Sequence, residues 1–354
     1  MRKRFFSCCL LLSAFALSAL AQNPMPQLKP VTEQGSGITA FPAPATPPPA
    51  AKGKKEAAPS LPKAPDLSYV QRKYINISYG SKSATQTFDL YLPNSTQGPY
   101  PLIIDIHGGA FMLVAMNSKS PEELQVVDAG LRHGYAVASI NYRLSGEARF
   151  PRAVNDAKAV VRYLRAHAEQ YNIDPNRIVA WGGSAGGNLA AMLGTTGCIN
   201  NLDGDNEENL QYPSNVQAVV DWFGPCDFLK YDDQFKASGK VTPFGSVFSP
   251  TSGETLYIGH DLKKDEKFTE LANPETYIPT LNKQTAPYFI IEHGTGDLNI
   301  PTVQSENFAA KLKEQLGADH VFIKLLPGAV HGDPAFSTES NFNLVFKLLA
   351  EKLK

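Results

Sequence analysis

The chain has 354 residues, enough for one large domain or two small ones, and its 43% apolar content is enough for a sizeable core. Its formal net charge of -1 offers no electrostatic case for nucleic acid. Four cysteines, with no C-x-x-C pair and no clustered Cys/His set, give a zinc site no support.

The N-terminus has the pattern of a secretory signal. Arg2, Lys3 and Arg4 form a basic start, and residues 5–20 an apolar run. Ala19-Leu20-Ala21 is a small-x-small cleavage site that makes Gln22 the mature start. The run is short of the roughly 20 apolar residues a spanning helix needs, and Ala and Ser dilute it. The expectation is a signal peptide over 1–21, a secreted or periplasmic protein, and no membrane span in the mature chain. Cys8 and Cys9 lie within the signal, and no leucine stands three residues ahead of either, which argues against lipoprotein processing.

Residues 22–66 are rich in Pro, Ala and Lys, as in "FPAPATPPPAAKGKKEAAPSLPKAP". Such a stretch cannot bury a core and is expected to be a disordered or polyproline-like tether. From 67 to 354 the pattern is globular. "KYINISYG" and "TFDLYLP" alternate like antiparallel strands. "PLIIDIHGG" is a continuous apolar run that suits a buried parallel strand. A helix is expected over 121–133, then a strand in "YAVASINYR". The stretch "PRAVNDAKAVVRYLRAHAEQY" has apolar residues at helical spacing behind a proline. "RIVAWGG" reads as a strand and "SAGGNLAAMLG" as a helix start. "VQAVVDWFG", "YFIIEHG" and "VFIKLLPG" complete the strands, and "SENFAAKLKEQLG" and "NFNLVFKLLAEKLK" supply the last helices. Alternating strands and helices imply an α/β fold, an open parallel sheet covered on both faces and led by an antiparallel pair. Residues 227–286 break the alternation. They have no clear periodicity, and long irregular segments in compact domains are usually caps or binding loops.

The chemistry centres on Gly182-Gly183-Ser184-Ala185-Gly186. A serine between a buried strand and a helix must sit on a sharp turn, its hydroxyl above the sheet, where bulky neighbours would clash. The flanking glycines make this a G-x-S-x-G nucleophile elbow. Alone the motif is weak; the strand before it and the helix after it strengthen it. The rival phosphate-loop reading fails for want of G-x-x-x-x-G-K-[ST] or G-x-G-x-x-G. A serine needs a base, supplied from the same edge of the sheet. His331 in "LLPGAVHGDP" follows the last strand and fits. His320 begins that strand and falls at the opposite edge; His133, His167 and His260 read as ordinary surface histidines. Asp297 in "IIEHGTGDLNIP" is the expected orienting acid, with Asp333 and Asp227 as weaker candidates. "IDIHGGAF" puts adjacent glycines at the end of the third strand, where backbone N–H groups can approach a substrate oxygen. Gly108, Gly109 and Ala185 are the expected oxyanion donors, and His107 is expected to fix the loop.

The order Ser184, Asp297, His331, with an "HGGA" loop upstream, resembles the α/β-hydrolase superfamily. "NYRLSGEARFP", "NDAKAVVRYLR" and "GGSAGGNLAAMLG" resemble the hormone-sensitive-lipase-like carboxylesterases. "VVDWFGPCDF" and "GTGDLNIPTVQSENFAAKL" look most like secreted bacterial esterases of the acetyl-xylan and feruloyl type. The resemblance spans roughly 70–354. It implies an α/β-hydrolase fold with a cap-like insert after the sixth strand, a serine carboxylesterase working through an acyl-enzyme on Ser184, and no metal or organic cofactor. The loop departs from the family in being HGGA where many relatives have HGGG, and Cys226 follows the sixth strand; neither removes a catalytic atom. An insert rich in Asp, Lys, Gly, Thr and Pro with scattered aromatics suits sugar hydroxyls better than an alkyl chain. The expected partner is thus a small-molecule or polysaccharide-linked ester with a short or compact aromatic acyl group. Two other functions fit the same residues: a peptidase or amidase of this fold, and an inactive hydrolase fold used as a binding module. Prolyl-oligopeptidase-type enzymes carry a large propeller ahead of the catalytic domain, where this chain has only the tether. A dead module would be expected to lose a triad or oxyanion residue.

Cys198 and Cys226 are the cysteines outside the signal. A helix of about a dozen residues carries the chain roughly 18 Å from the active-site edge before Cys198, while the strand before Cys226 returns to that edge. A disulfide needs Cα atoms within about 7 Å, so no bridge between them is expected.

Overall fold

The computed structural model describes residues 63–95, 97–204 and 208–353. The signal at 1–21 and nearly all of the tether at 22–66 lie outside the described residues. Eight strands form a single sheet in the order β1-β2-β4-β3-β5-β6-β7-β8. They are β1 (Arg72–Ser78), β2 (Thr87–Leu92), β3 (Tyr100–Ile106), β4 (Ala136–Ile140), β5 (Ile173–Gly183), β6 (Ala218–Trp222), β7 (Tyr288–Gly294) and β8 (Val321–Leu326). β1 pairs antiparallel with β2, and β2 antiparallel with β4; every pairing from β4 to β8 is parallel. The central strands are runs of Val, Ile, Leu and Ala buried on both faces, which only a sheet covered on both sides can satisfy. β1 is mostly exposed, as suits an edge.

The principal covering helices are α1 (Pro121–Arg132), α2 (Arg152–Ala166), α3 (Ala185–Thr196), α4 (Val303–Leu316) and α5 (Glu339–Lys352). α1 opens with Pro121 and then Glu122 and Glu123, and closes near Arg132, charges that complement the helix dipole. Every residue of α3 is buried, as its run of Ala, Leu and Met demands. α5, capped by the Thr338 hydroxyl on the Asn341 N–H, lays Phe342 and Phe346 against Trp181 and Trp222 of the sheet. That aromatic layer is the heart of the core, and Leu67 and Val70 pack onto its edge.

Between β6 and β7 the chain forms short pieces: a 3-10 turn (Phe228–Lys230), helices Tyr231–Ser238, Gly253–Ile258 and Glu266–Glu270, and a further turn (Pro274–Thr280). They are packed down onto α3. The Asn188 side-chain amide donates to the Pro225 and Ala272 carbonyls, and the Phe228 N–H donates to Asn273 Oδ1. Cys198 is exposed, Cys226 is buried, and no disulfide joins them. Among the described residues no helix is long and apolar enough to cross a membrane.

Candidate active site

Ser184 stands between β5 and α3 with φ 58° and ψ -123°, a strained conformation for a residue with a side chain. The turn is possible because nothing projects from its neighbours. A Cβ at Gly186 would lie 1.9 Å from the Ile106 carbonyl oxygen, and one at Gly182 would lie 2.4 Å from the Gly186 backbone. The Ser184 N–H is tied to the Trp222 carbonyl of β6 at 2.9 Å. The hydroxyl is therefore held at the C-terminal edge of the parallel strands, in front of the first turn of α3.

His331 and Asp297 meet it there. The Ser184 hydroxyl donates to His331 Nε2 at 2.9 Å, and His331 Nδ1–H donates to Asp297 Oδ2 at 2.8 Å. The loops that carry them run together: a Cβ at Gly294 would fall 2.2 Å from the Ala329 carbonyl, and the Gly296 N–H donates to that same carbonyl. Phe223 packs edge-on against the His331 ring at 4.7 Å. Asp297 has no solvent exposure. Burial alone would raise its carboxyl, but hydrogen bonds from His293 and His331 outweigh that and hold it well below the usual carboxylate range. Its other oxygen accepts the N–H groups of Asn299 and Ile300 at 2.7 and 3.0 Å.

The "HGGA" loop closes over the serine. A Cβ at Gly108 would stand 3.4 Å from Ser184 Cβ, and Gly109 and Ala110 take φ of 101° and 50°. His107 fixes this loop from below. It is buried, its Nδ1–H donates to the Gly108 carbonyl at 2.8 Å, and its ring stacks on Tyr142 at 4.3 Å. Burial lowers its pKa to about 4, so the ring is neutral at pH 7. Tyr142 belongs to the "NYRL" stretch, and its hydroxyl donates to the His107 carbonyl; Arg143 beside it pairs with buried Asp156 on α2 at 2.7 Å. The Glu123 carboxyl of α1 is buried close enough to the loop for the Gly108 backbone to act on its charge. Ala185, first in its helix, has an N–H with no intrahelical acceptor.

The other candidates fall outside this arrangement. Asp227 caps the Phe228–Lys230 turn through the Leu229 N–H, and Asp333 caps the following turn through the Ala335 N–H. His133 stacks on Phe346, His167 on Tyr163, His260 lies against Phe268, and His320 precedes β8, at the end away from His331. One residue was not anticipated. His293, the penultimate residue of β7, is wholly buried, with Nε2 at 3.2 Å from Asp297 Oδ2 and 3.2 Å from the Ile300 carbonyl. Both of those atoms only accept, so Nε2 carries the proton, and Nδ1 takes the Ser305 hydroxyl of α4 at 2.7 Å. Asp297 is thus held by two histidines. The signal was the spacing His293-Gly294-Thr295-Gly296-Asp297, a second polar residue at the C-terminal end of the strand that leads to the acid.

A mostly parallel sheet with this strand order and a Ser-His-Asp chain at the C-terminal edge of its parallel strands is an α/β hydrolase. The chain belongs to the BD-FAE family, which matches residues 88–312. Among similar proteins, Esterase LipC of Mycobacterium tuberculosis (strain ATCC 25618 / H37Rv) is 26% identical over 265 residues, covering 75% of this chain and 60% of that protein. The chain spans about half to three-fifths of the length of the curated relatives it matches. A structure described as "Truncated form of carbohydrate esterase from gut microbiota" superposes with a TM-score of 0.72 at 29% identity, covering 82% of this chain and 99% of that one. The "Bifunctional GH43-CE" of Bacteroides eggerthii superposes with a TM-score of 0.69, also at 29% identity, over 80% of this chain and 35% of its own.

Proposed function

We propose that the protein is an exported serine carboxylic ester hydrolase that removes short or compact aromatic acyl groups from esters carried on plant cell-wall carbohydrate. The observation that carries the hydrolase reading is the unbroken chain from Ser184 through His331 to Asp297. His331 takes the hydroxyl proton as Ser184 Oγ attacks the ester carbonyl, and ionised Asp297 holds the imidazole and stabilises its charged form. The backbone N–H groups of Gly108, Gly109 and Ala185 are the donors for the oxyanion in this reading, with the Gly108 loop packed close to the serine. The alcohol leaves with the proton from His331, and water activated by the same ring releases the acid.

The carbohydrate part of the reading is supported by the carbohydrate esterase among the structural neighbours and by the polar, aromatic-studded insert. Export is supported by the basic start, apolar run and cleavage site of residues 1–21, with 22–66 as a tether that lets the domain reach an insoluble polymer. A fluorophosphonate probe should label the wild type and leave Ser184→Ala unlabelled. Across p-nitrophenyl esters from acetate to palmitate, kcat/KM should peak at short chains, with acetate or ferulate released from xylan. Label retained by the mutant would remove the serine mechanism; a long-chain peak without release from polysaccharide would remove the substrate class.

A further inference from the structure

Phe223 follows β6 directly and is buried, yet it takes φ 45°, a left-handed conformation that a residue with a side chain rarely adopts. Backbone bonds on either side hold it there. The Trp222 carbonyl accepts the Ser184 N–H, and the Phe223 N–H donates to the Glu292 carbonyl of β7 at 2.8 Å. Buried Asp221 accepts the Gly224 N–H on Oδ1 at 2.8 Å and closes the turn. Against α3 there is no slack: a Cβ at Gly187 would lie 2.9 Å from the Trp222 carbonyl oxygen and 2.9 Å from Gly224 Cα. Glycine would suit the backbone of residue 223 better than phenylalanine. A large side chain kept in a strained conformation beside a catalytic group points to a task for that side chain.

The ring stands between nucleophile and base. A Cβ at Gly183, the residue before Ser184, would lie 3.2 Å from the Phe223 Cε2 and Cζ atoms. The same ring meets His331 at 4.7 Å between centroids and 61°, Phe336 at 4.6 Å and 68°, and His293 at 6.4 Å. It therefore touches the elbow and lies against both histidines that bond Asp297. The hydrogen bonds of the His331 imidazole do not set its tilt. Nε2 accepts the Ser184 hydroxyl and Nδ1–H donates to Asp297. Two bonds at opposite nitrogens fix the line between them and leave the angle of the ring plane about that line to packing. A T-shaped aromatic contact has a preferred geometry, and Phe223 supplies one.

We propose that Phe223 is a positioning residue for His331. Its ring, wedged against Gly183, sets the tilt of the imidazole so that Nε2 takes the Ser184 proton and then passes it to the leaving alcohol. This rests on the ester-hydrolase reading above. The test measures kcat and KM on p-nitrophenyl acetate and ethyl acetate for wild type, Phe223→Leu, Gly183→Ala and the double variant. Phe223→Leu keeps apolar bulk and removes the flat ring. It should lower kcat/KM on p-nitrophenyl acetate about 10-fold through kcat, with KM within about 2-fold, as a small misplacement of a catalytic group does. The loss on ethyl acetate should be about 5 times larger still, because ethoxide needs a proton from His331 to leave and p-nitrophenolate does not. Gly183→Ala keeps Phe223 and displaces its ring, so it should move the ratio of the two esters in the same direction. In the double variant its further effect should shrink to less than about 2-fold, since the contact it disturbs is gone. Equal losses on the two esters in Phe223→Leu would reduce Phe223 to packing and overturn the proposal, as would no loss, a loss carried by KM, or full additivity in the double variant. If Phe223→Leu does not fold, Gly183→Ala decides alone, and an unchanged ester ratio overturns the proposal. A wild type inactive on both esters would sink the hydrolase reading itself, whereas an active wild type with an indifferent Phe223→Leu sinks only the role of Phe223.

Discussion

Asp297 and Asp105 are the same residue type, each near the C-terminal end of a parallel strand and each without solvent exposure, yet the surroundings shift their proton affinities in opposite directions. Burial raises the proton affinity of both. Asp297 answers with four donors: His331, His293 and the N–H groups of Asn299 and Ile300. These hold it ionised. Asp105 has the Ser139 hydroxyl at 3.0 Å on one oxygen, and its other oxygen has no donor and faces the Glu123 carboxyl. Burial raises both members of that pair, and the charge of Asp105 raises Glu123 further. Donor count, not depth, sets the charge. The pH signs are opposite. A depressed carboxyl such as Asp297 contributes stability that is present above the ordinary range near 4 and lost as pH falls; a raised pair costs stability as pH rises above that range.

The largest expected effect comes from removing the charge on the first side. Asp297→Asn keeps the shape but allows the wrong His331 tautomer, and kcat on p-nitrophenyl acetate should drop about 10^4-fold. Residual turnover should still exceed uncatalysed hydrolysis, because the backbone donors survive. If Asp297→Asn turns over normally while Asp227→Asn or Asp333→Asn is dead, the acid lies elsewhere.

Asp297 could be put forward as the acid because it follows a strand, and the strands were legible, the first two from their alternation and the central ones because Val, Ile and Leu runs of that length have few other uses. The order β2-β4-β3 was not legible: which strand lies beside which is decided by long-range pairing that leaves no local trace. The insert was illegible for a different reason. Its helices Tyr231–Ser238, Gly253–Ile258 and Glu266–Glu270 are too short to develop a period. Their caps Ser252 and Asp265, and Gly239 and Gly259 in left-handed conformations at their ends, were in plain view but unaligned with any apolar repeat. His293 was hidden inside "YFIIEHG", where an apolar strand pattern makes any single polar residue look like core.

His293 tests how many donors the charged side needs, and the expected effect is smaller. It acts through Asp297 and is a positioning residue. His293→Ala removes one hydrogen bond from Oδ2 and should lower kcat about 10-fold, the size of one bond to a charged group. The freed oxygen then pulls harder on the His331 proton, so the acidic limb of the kcat/KM–pH profile should move to higher pH. His293→Gln, whose amide N–H can reach the same oxygen, should restore both rate and profile. A rate loss with an unmoved profile, or no rescue by Gln, would reduce His293 to a packing residue.

The raised pair is tested by giving it the donor it lacks. Asp105→Asn keeps an acceptor for the Ser139 hydroxyl and adds an N–H that can donate to Glu123, so Glu123 no longer faces a second acid. In the wild type the folded pair binds more protons than the unfolded chain once pH exceeds the ordinary carboxylate range, so rising pH favours unfolding. The variant removes the Asp105 share of that slope and keeps the share that burial of Glu123 causes. Its melting temperature should match the wild type near pH 4.5 and exceed it by about 2–4 °C at pH 8, the shift that roughly 1 kcal/mol produces in a domain of this size. The change should be confined to stability, because the Asp105 carboxyl bonds Ser139 and takes no part in the bonds among Ser184, His331 and Asp297. A difference independent of pH would mean that Asp105 does not titrate with folding. A variant that loses ground as pH rises would mean that Asp105 is ionised in the native protein, and the contrast with Asp297 would fail.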